Sequence, residues 1–181
     1  MTPDRTLRAL NAALLLALWV GAVLAWSSLP ERIPTHFDAG GVPDAWSAKS
    51  FWSWFTVPLI AVFTVLVMEV SMRVVRSRPH LLNIPQRKQF LELAADDQAP
   101  VLRELARVLD ALTLLVLLIF GTIQLATYQA AFGQSVRGPM LVVLLLAVIG
   151  TPLLTILLLV RTSARITEAH RRARAEGRLR P

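Results

Sequence analysis

Cysteine is absent from this chain of 181 residues, and charged residues are absent from four long stretches of it. Without cysteine the protein forms no disulfide framework, no CxxC redox pair and no thiolate metal site. The uncharged stretches are residues 9–30, 50–68, 111–136 and 138–160. Each is close to the roughly 17–25 apolar residues that cross a membrane as a helix. The pattern predicts an all-α membrane protein with four transmembrane helices and no large soluble core.

Basic residues are unevenly distributed between the predicted spans. Nearly all of the 19 Lys and Arg lie in residues 1–8, 69–110 and 161–181. The exceptions are Arg32, Lys49 and Arg137. Because Lys and Arg are enriched on the cytoplasmic side of membranes, we predict an antiparallel bundle with both termini inside. The corresponding location is the bacterial cytoplasmic (inner) membrane, crossed several times.

Residues 1–27 have a second interpretation, as a cleaved signal peptide with Ala25-Trp26-Ser27 at the cleavage site. The apolar core of that segment, residues 9–26, is longer than the roughly 7–15 residues usual in a signal. We therefore favour an uncleaved first span. The tryptophans support the orientation, because four of the five fall near the predicted outer ends of spans one and two.

The whole chain, residues 1–181, is predicted to be one four-span membrane domain. It has an extracytoplasmic motif loop at 27–50, a cytoplasmic loop at 73–107 and a basic cytoplasmic tail at 161–181. The cytoplasmic loop is expected to contain a short amphipathic helix from Gln86 that lies on the anionic leaflet. A long helix is expected to follow, unbroken from about residue 98 to 129.

Membrane lipids are the partners expected for the basic segments. The net charge is +7 and the isoelectric point is near 11.4. Nucleic-acid binding is nevertheless not predicted, because these basic residues flank hydrophobic spans and no aromatic-basic motif accompanies them.

A few polar residues interrupt the spans. Glu69 lies one turn before Arg73, and this spacing favours an ordinary i,i+4 ion pair over a functional site. Asn11 is expected to make a local hydrogen bond or to reach the interface. Thr113, Thr122, Gln124 and Thr127 are expected to bond a neighbouring helix. Gly150-Thr151-Pro152 predicts a kink in the fourth span.

The segment between the first two spans carries the most distinctive pattern. It contains three prolines, which stiffen it and remove backbone donors. Asp38-Ala-Gly-Gly predicts a turn, and Pro43-Asp44 predicts a second one. A loop this stiff is expected to have a defined shape.

The spacing Pro-x-x-x-Pro-Thr-His-Phe-Asp-x-x-Gly-x-Pro-Asp-x-Trp-x-x-Lys starts at Pro30 and resembles the signature of a bacterial membrane family called domain of unknown function 1648. That domain also begins the longer immunity proteins for a sporulation-delaying peptide toxin. The resemblance covers about residues 10–70 and implies that the loop binds something. The binding positions that it implies are Pro34, His36, Phe37, Asp38, Gly41, Pro43, Asp44, Trp46 and Lys49.

His36, Asp38 and Asp44 also form a candidate ligand set for a divalent metal, and a metal-bound water would support hydrolysis. We favour the alternative, in which His36 bonds a loop carbonyl and the aspartates cap turns. No catalytic residue and no cofactor are predicted.

The sequence therefore favours a non-enzymatic membrane protein, of the immunity or signalling type, that uses its outer loop for recognition. The partner would be a peptide or another membrane protein. One alternative is a small transporter or transporter subunit, for which a homodimer would supply eight spans. A further alternative is a metal-dependent envelope enzyme centred on His36.

Overall fold

A computed structural model gives the architecture of residues 3–38 and 40–179. Ala39 of the motif loop and Arg180 of the basic tail lie outside the described residues. The elements are α1 (Pro3–Ala25), β1 (Arg32–Phe37), β2 (Pro43–Ala48), α2 (Phe51–Ser77), α3 (Arg87–Glu92), α4 (Ala95–Ala131), α5 (Arg137–Leu145) and α6 (Thr151–Ala175). Four helical stretches, with α5 and α6 counted as one, are long and apolar enough to cross a membrane. The four-span prediction is confirmed.

The four stretches alternate in direction. Helices α1 and α4 run the same way, because Asn11 contacts Asp110 and the Ser28 hydroxyl lies 3.4 Å from that of Tyr128. Helix α2 runs against α4, and the Trp54 carbonyl accepts a 3.3 Å hydrogen bond from the Gln124 amide. We call the end that carries β1 and β2 the hairpin end, and the end that carries α3 the arginine-rich end.

Helix α4 is the central element of the bundle. It runs unbroken for 37 residues, which is about 56 Å at 1.5 Å per residue. It contacts α1, α2, α5, α6 and β1. It includes the whole stretch 98–129 that was predicted as one unbroken helix, and Pro100 lies in an early turn where its missing N–H removes little. Gly133, with φ of +74°, ends the helix and turns the chain into α5.

The fourth span contains a wider turn where the sequence predicts a kink. Residues Leu146–Gly150 form a π-helical turn between α5 and α6, directly before Thr151 and Pro152. The Thr151 hydroxyl donates a 3.2 Å hydrogen bond to the Leu146 carbonyl. The irregularity follows from Pro152, which has no N–H to continue the α-helical pattern.

Helix α3 packs onto the protein at the arginine-rich end. Phe90 and Leu93 are fully buried there, in a cluster with Val101 of α4 and Ile166 of α6. The amphipathic helix is therefore present, but these two apolar side chains face protein. They are covered because α4 and α6 extend beyond this helix, and contact of α3 with the lipid leaflet stays a prediction.

The hydrogen-bond partners of the polar residues inside the bundle agree only in part with those predicted from the sequence. Asn11 makes no local bond, since its amide donates to the Asp110 carbonyl at 2.9 Å. Gln124 bonds another helix as expected. The hydroxyls of Thr113, Thr122 and Thr127 instead donate to carbonyls four residues earlier in α4.

The tryptophans near the hairpin end are not equivalent. Trp52 is 71% exposed, as an interfacial residue would be. Trp54 is only 2% exposed and its indole N–H donates a 2.8 Å hydrogen bond to the Ala22 carbonyl of α1. The interfacial prediction is wrong for Trp54, because its side chain points from α2 toward α1 and not toward lipid.

Candidate binding hairpin

The motif loop is a β-hairpin. Strands β1 and β2 pair antiparallel, with Pro34 opposite Trp46 and Phe37 opposite Pro43. The predicted second turn at Pro43-Asp44 is wrong, because both residues belong to β2. Proline is accepted at the first residue of a strand or on an edge, and Pro43 opens β2.

The first predicted turn is confirmed. One carboxylate oxygen of Asp38 accepts the N–H groups of Gly40 and Val42, both at 2.8 Å. The Asp38 main chain closes the same turn, since its carbonyl accepts from Gly41 at 3.0 Å. The carboxylate of Asp38 is therefore committed to holding the turn, as expected for an aspartate at this position.

The tip of the hairpin rests on the junction between α4 and α5. Gly41 is buried with φ of +74°, and a β-carbon built there would lie 3.1 Å from Met140 Cβ and 3.2 Å from Arg137 Cα. Phe37 packs against Ala126 and Ala130 of α4. Only glycine fits this backbone and this contact together.

The base of the hairpin is equally fixed. Ile33 is fully buried with Leu29 and Trp54. The Lys49 ammonium donates a 3.2 Å hydrogen bond to the Leu29 carbonyl and lies 4.8 Å from the centre of the Trp26 ring. Such a cation–π contact adds to the hydrogen bond. Lys49 therefore joins the two ends of the segment.

These contacts divide the nine predicted binding residues into two groups. The residues that hold the hairpin in place are Pro34, Phe37, Asp38, Gly41, Pro43 and Lys49. The residues exposed on its surface without a role in holding it are His36, Asp44 and Trp46. Asp38 is exposed as well, but one of its carboxylate oxygens is occupied by the turn.

His36 and Asp44 form a cross-strand pair on the exposed surface. Their Nδ1 and Oδ1 atoms lie 2.5 Å apart, with the side chains 69% and 48% exposed. Trp46 is 40% exposed. His36 therefore bonds a carboxylate, whereas the sequence favoured a loop carbonyl.

The three candidate metal ligands do not come together. Asp44 reaches His36, but Asp38 is held by the turn. Across residues 3–38 and 40–179, no group of three His, Cys, Asp or Glu side chains could hold a metal ion.

The ion pair predicted between Glu69 and Arg73 is not formed. Glu69 instead lines a cavity of about 200 Å³ at the arginine-rich end, with Arg8 and Asp110. The i,i+4 rule describes one helix in isolation, and it does not include the neighbouring helices α1 and α4. Asn11 and Arg8 also line this cavity, although the local sequence around them predicts no functional role for either.

Comparisons with known proteins find similarity in the part of the chain that contains the hairpin. Residues 12–62 match the family described as Domain of unknown function (DUF1648), and this range spans most of α1, the hairpin and the first part of α2. An uncharacterized protein of Archaeoglobus fulgidus is 30% identical over 87 residues, which is 45% of this chain and 45% of that protein. The chain thus spans less than half the length of this relative. No solved structure matches the chain.

Proposed function

We propose that the protein resides in the bacterial cytoplasmic membrane and recognises a partner on the outer surface through its hairpin. In this proposal both termini face the cytoplasm, as the distribution of Lys and Arg favours. The role is that of a binding protein, of the immunity or signalling type, and not of an enzyme. The partner is an extended segment of a peptide or of another membrane protein.

The observation that carries this proposal is the open edge of β2. The sheet has two strands, and β1 lies against α4 and α2 whereas β2 packs chiefly against β1. A strand at a sheet edge presents unpaired main-chain groups that pair readily with another chain. Peptide recognition by strand addition uses such an edge.

The register identifies the main-chain groups that face outward. The Lys49 N–H donates to the Glu31 carbonyl at 2.7 Å. Hydrogen-bonded and non-bonded pairs alternate along an antiparallel ladder, so Ala48 and Trp46 occupy non-bonded positions opposite β1. Pro34, which has no N–H, lies opposite Trp46 as this alternation requires. The N–H groups of Ala48 and Trp46 and the C=O group of Trp46 therefore face away from β1, toward the position of a third strand. The Ala48 carbonyl is already engaged, since it accepts a 2.9 Å hydrogen bond from the Ser53 hydroxyl.

Exposed side chains beside this edge supply selectivity. His36 and Asp44 offer an imidazole and a carboxylate that bond each other, and Trp46 offers a large ring that packs against aliphatic or cationic groups. The docking of Gly41 and Lys49 onto the helices keeps this surface in one conformation. A preorganised surface binds with a smaller entropic cost than a flexible loop.

A main-chain substitution in the native membrane tests the proposal. Ala48→Pro removes the outward N–H while leaving the β1–β2 bonds, and Ala48→Val is its matched control because it keeps that N–H. A photo-crosslinking amino acid at Ala45, which is exposed, is placed in each background, and the crosslinked residues are mapped by mass spectrometry.

Adducts to an extended segment that survive in Ala48→Val and disappear in Ala48→Pro support strand addition. Equal adducts in both backgrounds, or no adduct from a protein present at its normal level in the membrane, contradict it.

A further inference from the structure

A cavity with polar residues in its walls lies inside the helix bundle, near the arginine-rich end and far from the hairpin along the axis of the bundle. Its volume is about 200 Å³, and its walls come from α1, α2 and α4. The polar and charged residues that line it are Arg8, Asn11, Glu69, Asp110 and Thr113. The remaining lining is apolar, with Leu, Val, Met and Ala side chains. Ionisable groups in such surroundings are costly and mark functional sites more often than not.

Three polar residues of this cavity each have a hydrogen-bond donor that is already engaged. The Arg8 Nε atom lies 3.3 Å from Asp110 Oδ2, and this pair cancels its own charge. The amide of Asn11 donates to the Asp110 carbonyl at 2.9 Å. The Thr113 hydroxyl donates to the Leu109 carbonyl at 2.8 Å. These contacts use the Arg8 Nε–H, one N–H of the Asn11 amide and the single donor of the Thr113 hydroxyl.

Acceptors, in contrast, are left over. Asn11 is 7% exposed, and its Oδ1 atom is buried without a hydrogen-bond partner among the described residues. Glu69 is partly buried and makes no ion pair with the described residues, so the Arg8, Asp110 and Glu69 set keeps one negative charge. An unsatisfied buried acceptor and an unpaired carboxylate both destabilise a protein. A single positive charge would satisfy both.

We propose that this cavity binds one small cation, held by the Glu69 carboxylate and by Asn11 Oδ1. The cation is either a proton carried on Glu69, which then donates to Asn11, or a monovalent metal ion such as Na⁺. Oxygen ligands suit a hard cation, and a water molecule occupies only about 30 Å³ of liquid. The cavity therefore has room for an ion and part of its hydration shell.

The charges that face Glu69 decide how tightly it holds a cation. Arg8 on α1 is neutralised by Asp110 on α4. Arg73 and Arg76 follow Glu69 along α2, both are exposed, and neither forms an ion pair with a described residue. Positive charges on the exposed surface weaken cation binding less than they would inside the cavity, because solvent screens them.

The test uses the full-length protein in lipid nanodiscs and separates the two cations. In the sodium arm, thermal unfolding is followed at fixed pH and ionic strength while NaCl replaces N-methylglucamine chloride. In the proton arm, infrared spectra are recorded across a pH series to detect the C=O stretch of a protonated carboxyl. The variants are Glu69→Gln, Asn11→Leu and the matched control Glu31→Gln, an exposed glutamate at the hairpin end.

We expect a response in one arm that Glu69→Gln abolishes and Glu31→Gln retains. Asn11→Leu keeps Glu69 but removes its partner, so the apparent affinity for the cation falls by about tenfold. If Glu69→Gln does not fold, the apparent cation affinity of Asn11→Leu alone tests the proposal. The proposal is overturned if the folded wild-type protein responds in neither arm, or if Glu69→Gln and Asn11→Leu respond as wild type does.

Discussion

Gly41 and Gly133 have the same backbone conformation, with φ of +74° at both. Their surroundings differ, because a β-carbon at Gly41 would touch Met140 and Arg137 whereas one at Gly133 would meet nothing within 4 Å. The pair therefore separates two effects that are usually mixed. One is the strain of a left-handed residue, and the other is the close approach of the hairpin to α5.

Substitution of each glycine by alanine should destabilise the protein to different extents. Gly133→Ala introduces only backbone strain, for which we expect about 1–2 kcal/mol. Gly41→Ala adds the clash with Met140 and Arg137, so the loss should be larger. Unfolding in detergent by heat or by sodium dodecyl sulfate measures both. Equal losses would show that the tip of the hairpin does not press on α5.

Trp52 and Trp54 give a second matched pair at the scale of single residues. Trp54→Phe removes the indole donor to the Ala22 carbonyl and leaves space between α1 and α2. We expect a loss of about 1–3 kcal/mol in the free energy of unfolding. Trp52→Phe changes an exposed side chain and should stay within about 0.5 kcal/mol of the wild type.

The measurement for this pair is reversible unfolding followed by far-ultraviolet circular dichroism, which does not depend on tryptophan emission. If Trp52→Phe proved the more damaging change, the packing of α1 against α2 described above would be incorrect.

The residue-scale prediction for Asp38 succeeded because its interaction is local. Asp38 was expected to hold a turn, and its carboxylate bonds residues two and four positions ahead. Asn11 and Glu69 were misjudged, because their surroundings come from helices that are distant in the chain. Asn11 contacts a residue 99 positions away, and no local spacing encodes such a contact.

At the scale of elements, a buried side chain of α4 adds hydrogen bonds to the apolar packing that holds α3. The Gln98 amide donates to the carbonyls of Phe90 and Leu93, both at 3.1 Å. These bonds hold the end of the short helix α3 against the start of α4. Six residues are too few to form a stable helix in isolation, so α3 owes its structure to this packing.

Gln98→Leu should release α3 while the spans stay intact. Loss of the two hydrogen bonds leaves buried carbonyls without that donor, at a cost of about 1–3 kcal/mol. Trypsin should then cleave faster after Arg87 and Lys88, and the fragments identify the position. Gln89→Leu is the control, because the Gln89 Oε1 atom is buried without a partner in the described structure and its removal should not accelerate cleavage. Unchanged cleavage in Gln98→Leu would contradict this account of α3.

The hairpin was not predicted as strands, and the reason is its proline content. Pro34 and Pro43 lower the strand tendency of any segment. Their positions are compatible with pairing, since Pro34 lies opposite Trp46 at a non-bonded position and Pro43 opens β2. The alternation of buried and exposed residues is also interrupted by the register shifts on both sides of His36. The prolines identified a stiff segment, but not its pairing.

At the scale of the whole molecule, the number of spans could be predicted because it follows from length and the absence of charge alone. Those signals do not depend on which helices touch. The order of packing around α4, and the cavity between α1, α2 and α4, arise from side-chain contacts between distant segments. They became visible only in the structure.

The proposed orientation of the molecule leads to a further prediction. A reporter enzyme that needs disulfides to fold should be active when inserted after Val42 and inactive when fused after Ser77, because disulfides form outside the cytoplasm. Activity measurements on intact cells, with immunoblots to confirm equal amounts of protein, make the comparison. The reverse pattern would place the hairpin in the cytoplasm and remove the basis for recognition at the outer surface.

The continuity of α4 has a mechanical consequence. The hairpin rests on its last turns, Asp110 lies near its middle, and Val101 and Leu105 support α3 near its start. Since the helix has no break between these points, a rotation of α4 about its own axis would move all three regions together. A partner that twists α4 from one side of the bilayer would therefore reorient groups on the opposite side in the same movement.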